Sequence, residues 1–233
     1  YSSQMPAVKL LQAMGYTYLS PEECKAQRGS LYHVLLKDVL RGQLRKLNRY
    51  SYGGVENEFS SANIERAMEE LDEPLTDGLI KASEKIYDAL LMGKSYPEIV
   101  GGGRMLNFDL KYIDWEHPER NVFHVTDEFS VESRDKEHNT RPDIVLFING
   151  IPFGVIECKA PDVRGDGAVE QMIRNQRAEY TPQLFKFAQI VMAMNRTEVK
   201  YATTGTPKKF WSVWKEQDED FLRQEEVRYI HGR

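Results

Sequence analysis

Three ionisable residues stand at the ends of one apolar segment. The stretch RPDIVLFINGIPFGVIECKAP (141–161) carries Asp143 near its start and Glu157 and Lys159 near its close. Charged groups rarely enter so apolar a strand pair unless they pair, bind a metal or do chemistry. Asp143, Glu157 and the backbone carbonyl of Cys158 make an all-oxygen set suited to a hard divalent cation, with Mg²⁺ the natural choice. A lysine two residues from the second acid can hold or deprotonate a water beside that ion. The ion itself would polarise a phosphoryl oxygen and neutralise charge in an in-line displacement. Phosphodiester hydrolysis is the chemistry indicated. A metal-free ion pair of Lys159 with Asp143 or Glu157 is the structural alternative, since a pattern as loose as P-D…E-x-K recurs by chance.

The chemistry depends on how the segment folds. Asn149-Gly150 between β-branched runs signals a hairpin, with strands over 144–148 and 151–159. Alternation places Phe153, Val155, Glu157 and Lys159 on one face and the Cys158 side chain on the other. A two-residue loop would set Asp143 opposite Ile156, on the wrong face. A three-residue loop, with Gly150 left-handed in a bulge, pairs 147 with 151 and 143 with 155. Asp143 then lies diagonal to Glu157, roughly 7–8 Å away. The functional reading therefore expects the bulged turn. A helix over 168–180, closed before Pro182, should follow, with Val169, Met172, Ile173, Gln176 and Tyr180 on the stripe facing the sheet. A glutamine on that face must find a partner or cost about 1–3 kcal/mol. A site holding phosphate and water would supply one; a carbonyl-bonded Gln176 and a core-filling Tyr180 are the plain alternative.

Around this segment the first hundred residues read mostly as helix. Ala7, Leu10, Leu11 and Met14 recur at helical spacing up to Gly15, and Leu35 to Leu47 form a longer stripe. Amphipathic helices are expected over 63–71 and 76–91. Gly101-Gly102-Gly103 ends that regime, and strand-like runs follow at 105–113, 121–131, 188–194 and 199–203. A central mixed sheet with packed helices is the expected architecture. It divides into a helical region (1–104), a core (105–215) and a charged linker or docking tail (216–233). Gly93-Lys94-Ser95 lacks the upstream glycine of a phosphate loop and reads as a helix terminus. Asp109-Leu110-Lys111, after Pro97-Glu98, repeats the acid-x-lysine pattern, but Glu98 is expected at a helix end and the group reads as a sheet-face ion pair. His33, His117, His124, His138 and His231 show no zinc spacing.

Composition narrows the class. With 41% hydrophobic and 29% charged residues in 233, the chain matches an ordinary globular protein. A net charge of −5 leaves a nucleic-acid partner to a local patch, for which Lys208, Lys209 and Trp211 are candidates. Two cysteines, Cys24 and Cys158, without paired spacing fit a reducing cytoplasm. No apolar run approaches membrane-spanning length. The chain opens on Tyr1 and not on methionine, so its natural start is expected upstream.

Taken together, Pro142-Asp143, Glu157-Cys158-Lys159 and Gln176-x-x-x-Tyr180 resemble the PD-(D/E)xK nuclease superfamily, the last element its RecB-like branch. LLQAMGYTYLS (10–20), LKDVLRGQLRKLN (36–48), FDLKYIDW (108–115) and YATTGTPKKFWSVW (201–214) extend the likeness to the N-terminal nuclease region of the restriction subunit of type I restriction enzymes. The resemblance implies an α/β, restriction-endonuclease-like fold and a Mg²⁺-dependent endonuclease cutting double-stranded DNA. It makes Asp143 and Glu157 metal ligands, Lys159 the catalytic lysine, and Gln176 and Tyr180 a supporting pair. It further implies methyltransferase and specificity subunits as partners, and ATP as a need of the full-length enzyme only. Gln4 stands where such nucleases often carry a glutamate. Two other classes stay open: a non-catalytic DNA-binding or subunit-docking module, and a free-standing RecB-like repair nuclease.

Overall fold

The structure is a computed structural model that describes residues 4–159, 166–195 and 198–215. Seven α-helices occur among them: α1 (Gln4–Ala13), α2 (Pro21–Arg28), α3 (Lys37–Leu47), α4 (Ser61–Leu71), α5 (Leu79–Met92), α6 (Asp166–Asn175) and α7 (Pro182–Phe185). The strands are β1 (Thr17–Tyr18), β2 (Arg49–Tyr52), β3 (Val55–Glu58), β4 (Lys94–Val100), β5 (Arg104–Leu110), β6 (Phe123–Asp127), β7 (Val131–Glu132), β8 (Asn139–Thr140), β9 (Ile144–Ile148), β10 (Ile151–Cys158), β11 (Ile190–Met194), β12 (Val199–Ala202) and β13 (Ser212–Val213). Seven strands form the central sheet in the order β1-β6-β9-β10-β11-β12-β13. Its β1/β6 and β10/β11 pairs run parallel and the rest antiparallel. The expected mixed sheet flanked by helices is thus the fold.

Each face of the sheet is covered because its central strands β9, β10 and β11 carry apolar residues on both sides. Val145, Phe147, Val155, Val191 and Ala193 face the main core, where Ala168, Val169 and Met172 of α6 meet them. Ile144, Val125 and Ile156 point the other way, into a smaller cluster closed by Val8 of α1. Parallel β10 and β11 need a crossover long enough to reverse the chain twice. Helices α6 and α7 lie in that crossover, which lays α6 against β10 and β11. The main core also draws on Leu36, Leu40 and Leu44 of α3 and Ile64 and Leu71 of α4, so residues before and after 104 share one apolar interior. Ser20 opens α2 with a capping box to Glu23.

The early part of the chain holds more strand than its pattern predicts. Arg49–Tyr52 and Val55–Glu58 pair as a hairpin, turned by Gly53 and Gly54 at positive φ. Pro97 and Glu98, expected at a helix end, lie on β4, paired along its length with β5. Single hairpins outside the main sheet carry short, weakly apolar strands, which hydropathy patterning does not separate from loops. Gly93-Lys94-Ser95 does follow a helix: Gly93 caps α5 with φ 73°, and Lys94 bonds the Glu70 carbonyl at 3.2 Å. The predicted tail, 216–233, lies outside the described residues.

Candidate active site

The hairpin turn differs from the expectation. Ile151 pairs directly with Ile148, so the loop is the two-residue Asn149-Gly150, with φ 53° and 83°. Such a left-handed pair matches the twist of the strands it joins. Gly150 is required by space as well: a Cβ there would lie 2.6 Å from the Leu36 carbonyl oxygen. Asn149 locks the turn through four hydrogen bonds of 2.8–2.9 Å, to Gln43, Val122, Tyr112 and Asn121. Continued without interruption, this register would turn Asp143 away from Glu157.

A bulge within β10 corrects it. Pro152 pairs with Phe147, but Gly154 pairs with Leu146, so Phe153 is an extra residue and Ile156 comes opposite Ile144. One step further, Asp143 faces Glu157 directly across the two strands. The three-residue loop is therefore wrong, while the parity change it was meant to supply occurs three residues later, at Phe153. Its cause is Pro152 in a strand paired on both sides. A proline in a central strand has no N–H for the ladder and belongs at a bulge. The bulged residue is not wasted: the Phe153 carbonyl accepts from the Gln189 N–H at 2.8 Å and leads the chain into β11.

Asp143 and Glu157 thus sit on the sheet face covered by α6, in different environments. Asp143 is half-buried. Its Oδ2 accepts the Cys158 N–H at 2.7 Å, which brings the Cys158 main chain beside both acids. The Cys158 side chain points to the opposite cluster, as alternation requires. Glu157 is only 1% exposed; its Oε2 accepts from Gln171 at 2.8 Å, whereas its Oε1 is buried with no hydrogen-bond partner. Burial pushes the Glu157 carboxyl up to about 8, the Asp143 charge adding to the rise and Lys159 opposing it. Lys159 donates to Gln171 Oε1 at 2.7 Å. Gln4, on α1, donates to the Asp143 carbonyl at 3.0 Å, so it braces the strand that carries the acid.

Gln171 is the residue that sequence reasoning passed over. Its amide joins both charged members of the Glu157-x-Lys159 pair, nitrogen to the acid and oxygen to the lysine. The helix expected to reach residue 180 ends at Asn175. Gln176 and Tyr180 therefore leave the helical stripe and fall in the turns after it. Gln176 donates to the Met172 carbonyl at 3.2 Å and accepts the Gly205 N–H at 2.8 Å, holding the β12 exit loop to the helix. Tyr180 packs its ring against His138, centroids 4.6 Å apart, with the Arg174 guanidinium 5.4 Å from its centroid. The structure brings Asp143, Glu157 and Lys159 together with Gln171, and places Gln176 and Tyr180 behind them.

The sequence is similar to those of known proteins. Residues 1–210 match the family described as "Type I restriction enzyme R protein N terminus". The chain belongs to that family. Among its relatives is the protein of Methanocaldococcus jannaschii named "Putative type I restriction enzyme MjaIXP endonuclease subunit", 27% identical over 94% of this chain and 21% of its own length. The type I restriction enzyme HindI endonuclease subunit of Haemophilus influenzae is 25% identical, over 90% of this chain and 19% of the relative. The EcoprrI endonuclease subunit of Escherichia coli is also 25% identical, over 79% of this chain and 56% of the relative. The chain spans about a fifth of the length of the first two. Among the described residues no helix is long and apolar enough to cross a membrane.

Proposed function

We propose that this chain is the Mg²⁺-dependent endonuclease module of a type I restriction enzyme R subunit, hydrolysing phosphodiesters of double-stranded DNA. One observation carries the reading: two carboxylates face each other across β9 and β10, and the buried oxygen of one has no partner. A buried, unpaired acceptor costs free energy that a structural role does not return. Beside it stands Asp143, whose Oδ2 accepts the Cys158 N–H, so the donor set fits a hard cation held by Asp143, Glu157 and the Cys158 carbonyl. Bound there, Mg²⁺ would polarise the scissile phosphate and neutralise charge developing on it. Lys159 supplies the second positive charge, and the Gln171 oxygen aims its ammonium. The Gln171 nitrogen fixes the Glu157 carboxylate, so a single amide sets the geometry of both. The ATP requirement, the methyltransferase and specificity subunits and the cytoplasmic setting belong, on this proposal, to the full-length assembly.

The test is a calorimetric titration of this chain with Mg²⁺, Mn²⁺ and Ca²⁺, repeated on Asp143→Asn and Glu157→Gln, beside plasmid cleavage by the intact enzyme carrying the same changes. The expected result is one saturable site that each variant abolishes, with cleavage lost in parallel. Cation binding unaffected by both variants overturns the assignment. Intact binding with no cleavage by any wild-type assembly favours the non-catalytic module.

A further inference from the structure

Beside the site, α6 borders a cleft of about 700 Å³ lined by Gln171, Arg174, Arg177, Lys208, Glu170 and Pro207. With Gly167 and Ile173 the lining counts eight residues, three of them cationic, on a chain whose net charge is −5. Lys208 pairs with Glu170 at 2.7 Å. Arg174 and Arg177 have no ion pair among the described residues, and both are exposed. Arg174 is steadied by the Tyr180 ring. Since Gln171 lines the cleft and also bonds Glu157 and Lys159, the cleft adjoins the candidate active site through that residue.

We infer that this cleft seats the phosphate backbone of the DNA strand next to the scissile bond, with Arg174 and Arg177 as its phosphate contacts. The inference rests on the nuclease reading and adds a path to it. Guanidinium groups suit the task, since each presents a planar fork of donors to phosphate oxygens. Phosphate contacts carry no base information, so binding along the cleft should be independent of sequence. Tyr180 becomes a positioning residue that acts through Arg174. The ion pair of Lys208 with Glu170 supplies a cation that a phosphate can recruit from the carboxylate.

The experiment measures binding of fluorescein-labelled duplexes of two unrelated sequences to this chain, in Ca²⁺ and across a salt series. Arg174→Glu with Arg177→Glu should weaken binding to both duplexes by at least about tenfold and flatten the slope of log affinity against log salt by roughly two. Arg177→Ala alone, at an exposed side chain with no packing to lose, should flatten it by roughly one. Lys46→Glu with Lys81→Glu alters the net charge equally on exposed helix faces elsewhere and should shift affinity less than about twofold. Equal loss in both double variants, an unchanged slope in Arg177→Ala with melting temperature preserved, or no duplex binding by the wild-type chain overturns the inference. Because no cleavage is read, the track stands or falls apart from the metal titration. Expected binding with no cation site would sink the nuclease reading alone.

Discussion

Two segments of this protein carry an acid, one residue and a lysine on a strand, and only one of them builds a site. On β5, Asp109 is exposed and hydrogen-bonds Ser95 across the hairpin. Lys111 pairs with Asp114 at 3.0 Å. Glu98, the nearest upstream acid, is buried but fully employed: its Oε1 accepts from the Ser60 N–H and hydroxyl and from Asn63, at 2.8–3.0 Å, at the start of α4. On β10, Glu157 is buried opposite a second acid with one oxygen unpaired. The first set finds partners among its own neighbours. The second is satisfied only if something joins it. Acid-x-lysine spacing is common to both; unspent hydrogen-bonding capacity at a buried carboxyl is what separates them. Asp114, Glu116 and His117 also cluster closely enough to hold an ion, but Lys111 and Arg120, each at 3.0 Å, already neutralise the buried Asp114.

The largest effect should come from the charged triad. In the intact enzyme, Asp143→Ala, Glu157→Ala or Lys159→Ala should lower plasmid linearisation by on the order of 10²–10⁴-fold, whereas Asp109→Ala and Lys111→Ala should leave it within about twofold. Equal losses at the two sites would erase the distinction. A pH series on the chain without divalent cations gives the next effect. Folding raises the Glu157 carboxyl to about 8, so between its unfolded value and that point the folded state holds a proton the unfolded chain has released. Stability should accordingly be fully present below about pH 4 and fall as pH rises toward 8, by at most about 1.4 kcal/mol per unit. Thermal melts should show the decline, Mg²⁺ should reverse it, and Glu157→Gln should remove it.

A smaller and sharper contrast concerns the two glutamines. Gln171→Ala should reduce cleavage by about 10–100-fold, the usual scale for a group that orients metal-site residues, a loss that outweighs its effect on stability. Gln176→Ala should do the reverse, costing about 1–3 kcal/mol of stability through the unpaired Gly205 N–H with a modest effect on cleavage. Least of all, Ser95→Ala should shift stability by no more than about 0.5 kcal/mol, as exposed polar pairs do. Any larger loss there would give the β5 pattern a role that its geometry does not show.

The readable parts of this protein were those decided within a few residues. Asn149-Gly150 marked its hairpin, Gly93 its helix end, and the apolar runs of β9, β10 and β11 their strands. The short hairpins of the early chain escaped, because Arg49–Tyr52 and Val55–Glu58 are too polar and brief to carry a period. The end of α6 escaped for a different reason. Continuing its stripe to Tyr180 is locally sound, yet the chain turns after Asn175, where the Thr181 N–H caps the Asn175 carbonyl at 3.1 Å. That one boundary decided which glutamine meets the acids: Gln171 lies inside the helix, Gln176 past its end.

From its residues alone the chain specified the chemical means: two carboxylates and a lysine on facing strands, in a mixed sheet, with a helix to follow. Tertiary structure decided whether those groups meet. A strand has a side-chain period of two, so one extra residue moves everything beyond it to the opposite face. Phe153 is that residue, placed by a proline that cannot join the ladder at Pro152 and by Gly154, where a Cβ would lie 3.2 Å from both Ile190 and Leu146. Which strands flank β10, and therefore whether Pro152 must bulge, is fixed by contacts from distant parts of the chain. No local pattern records them.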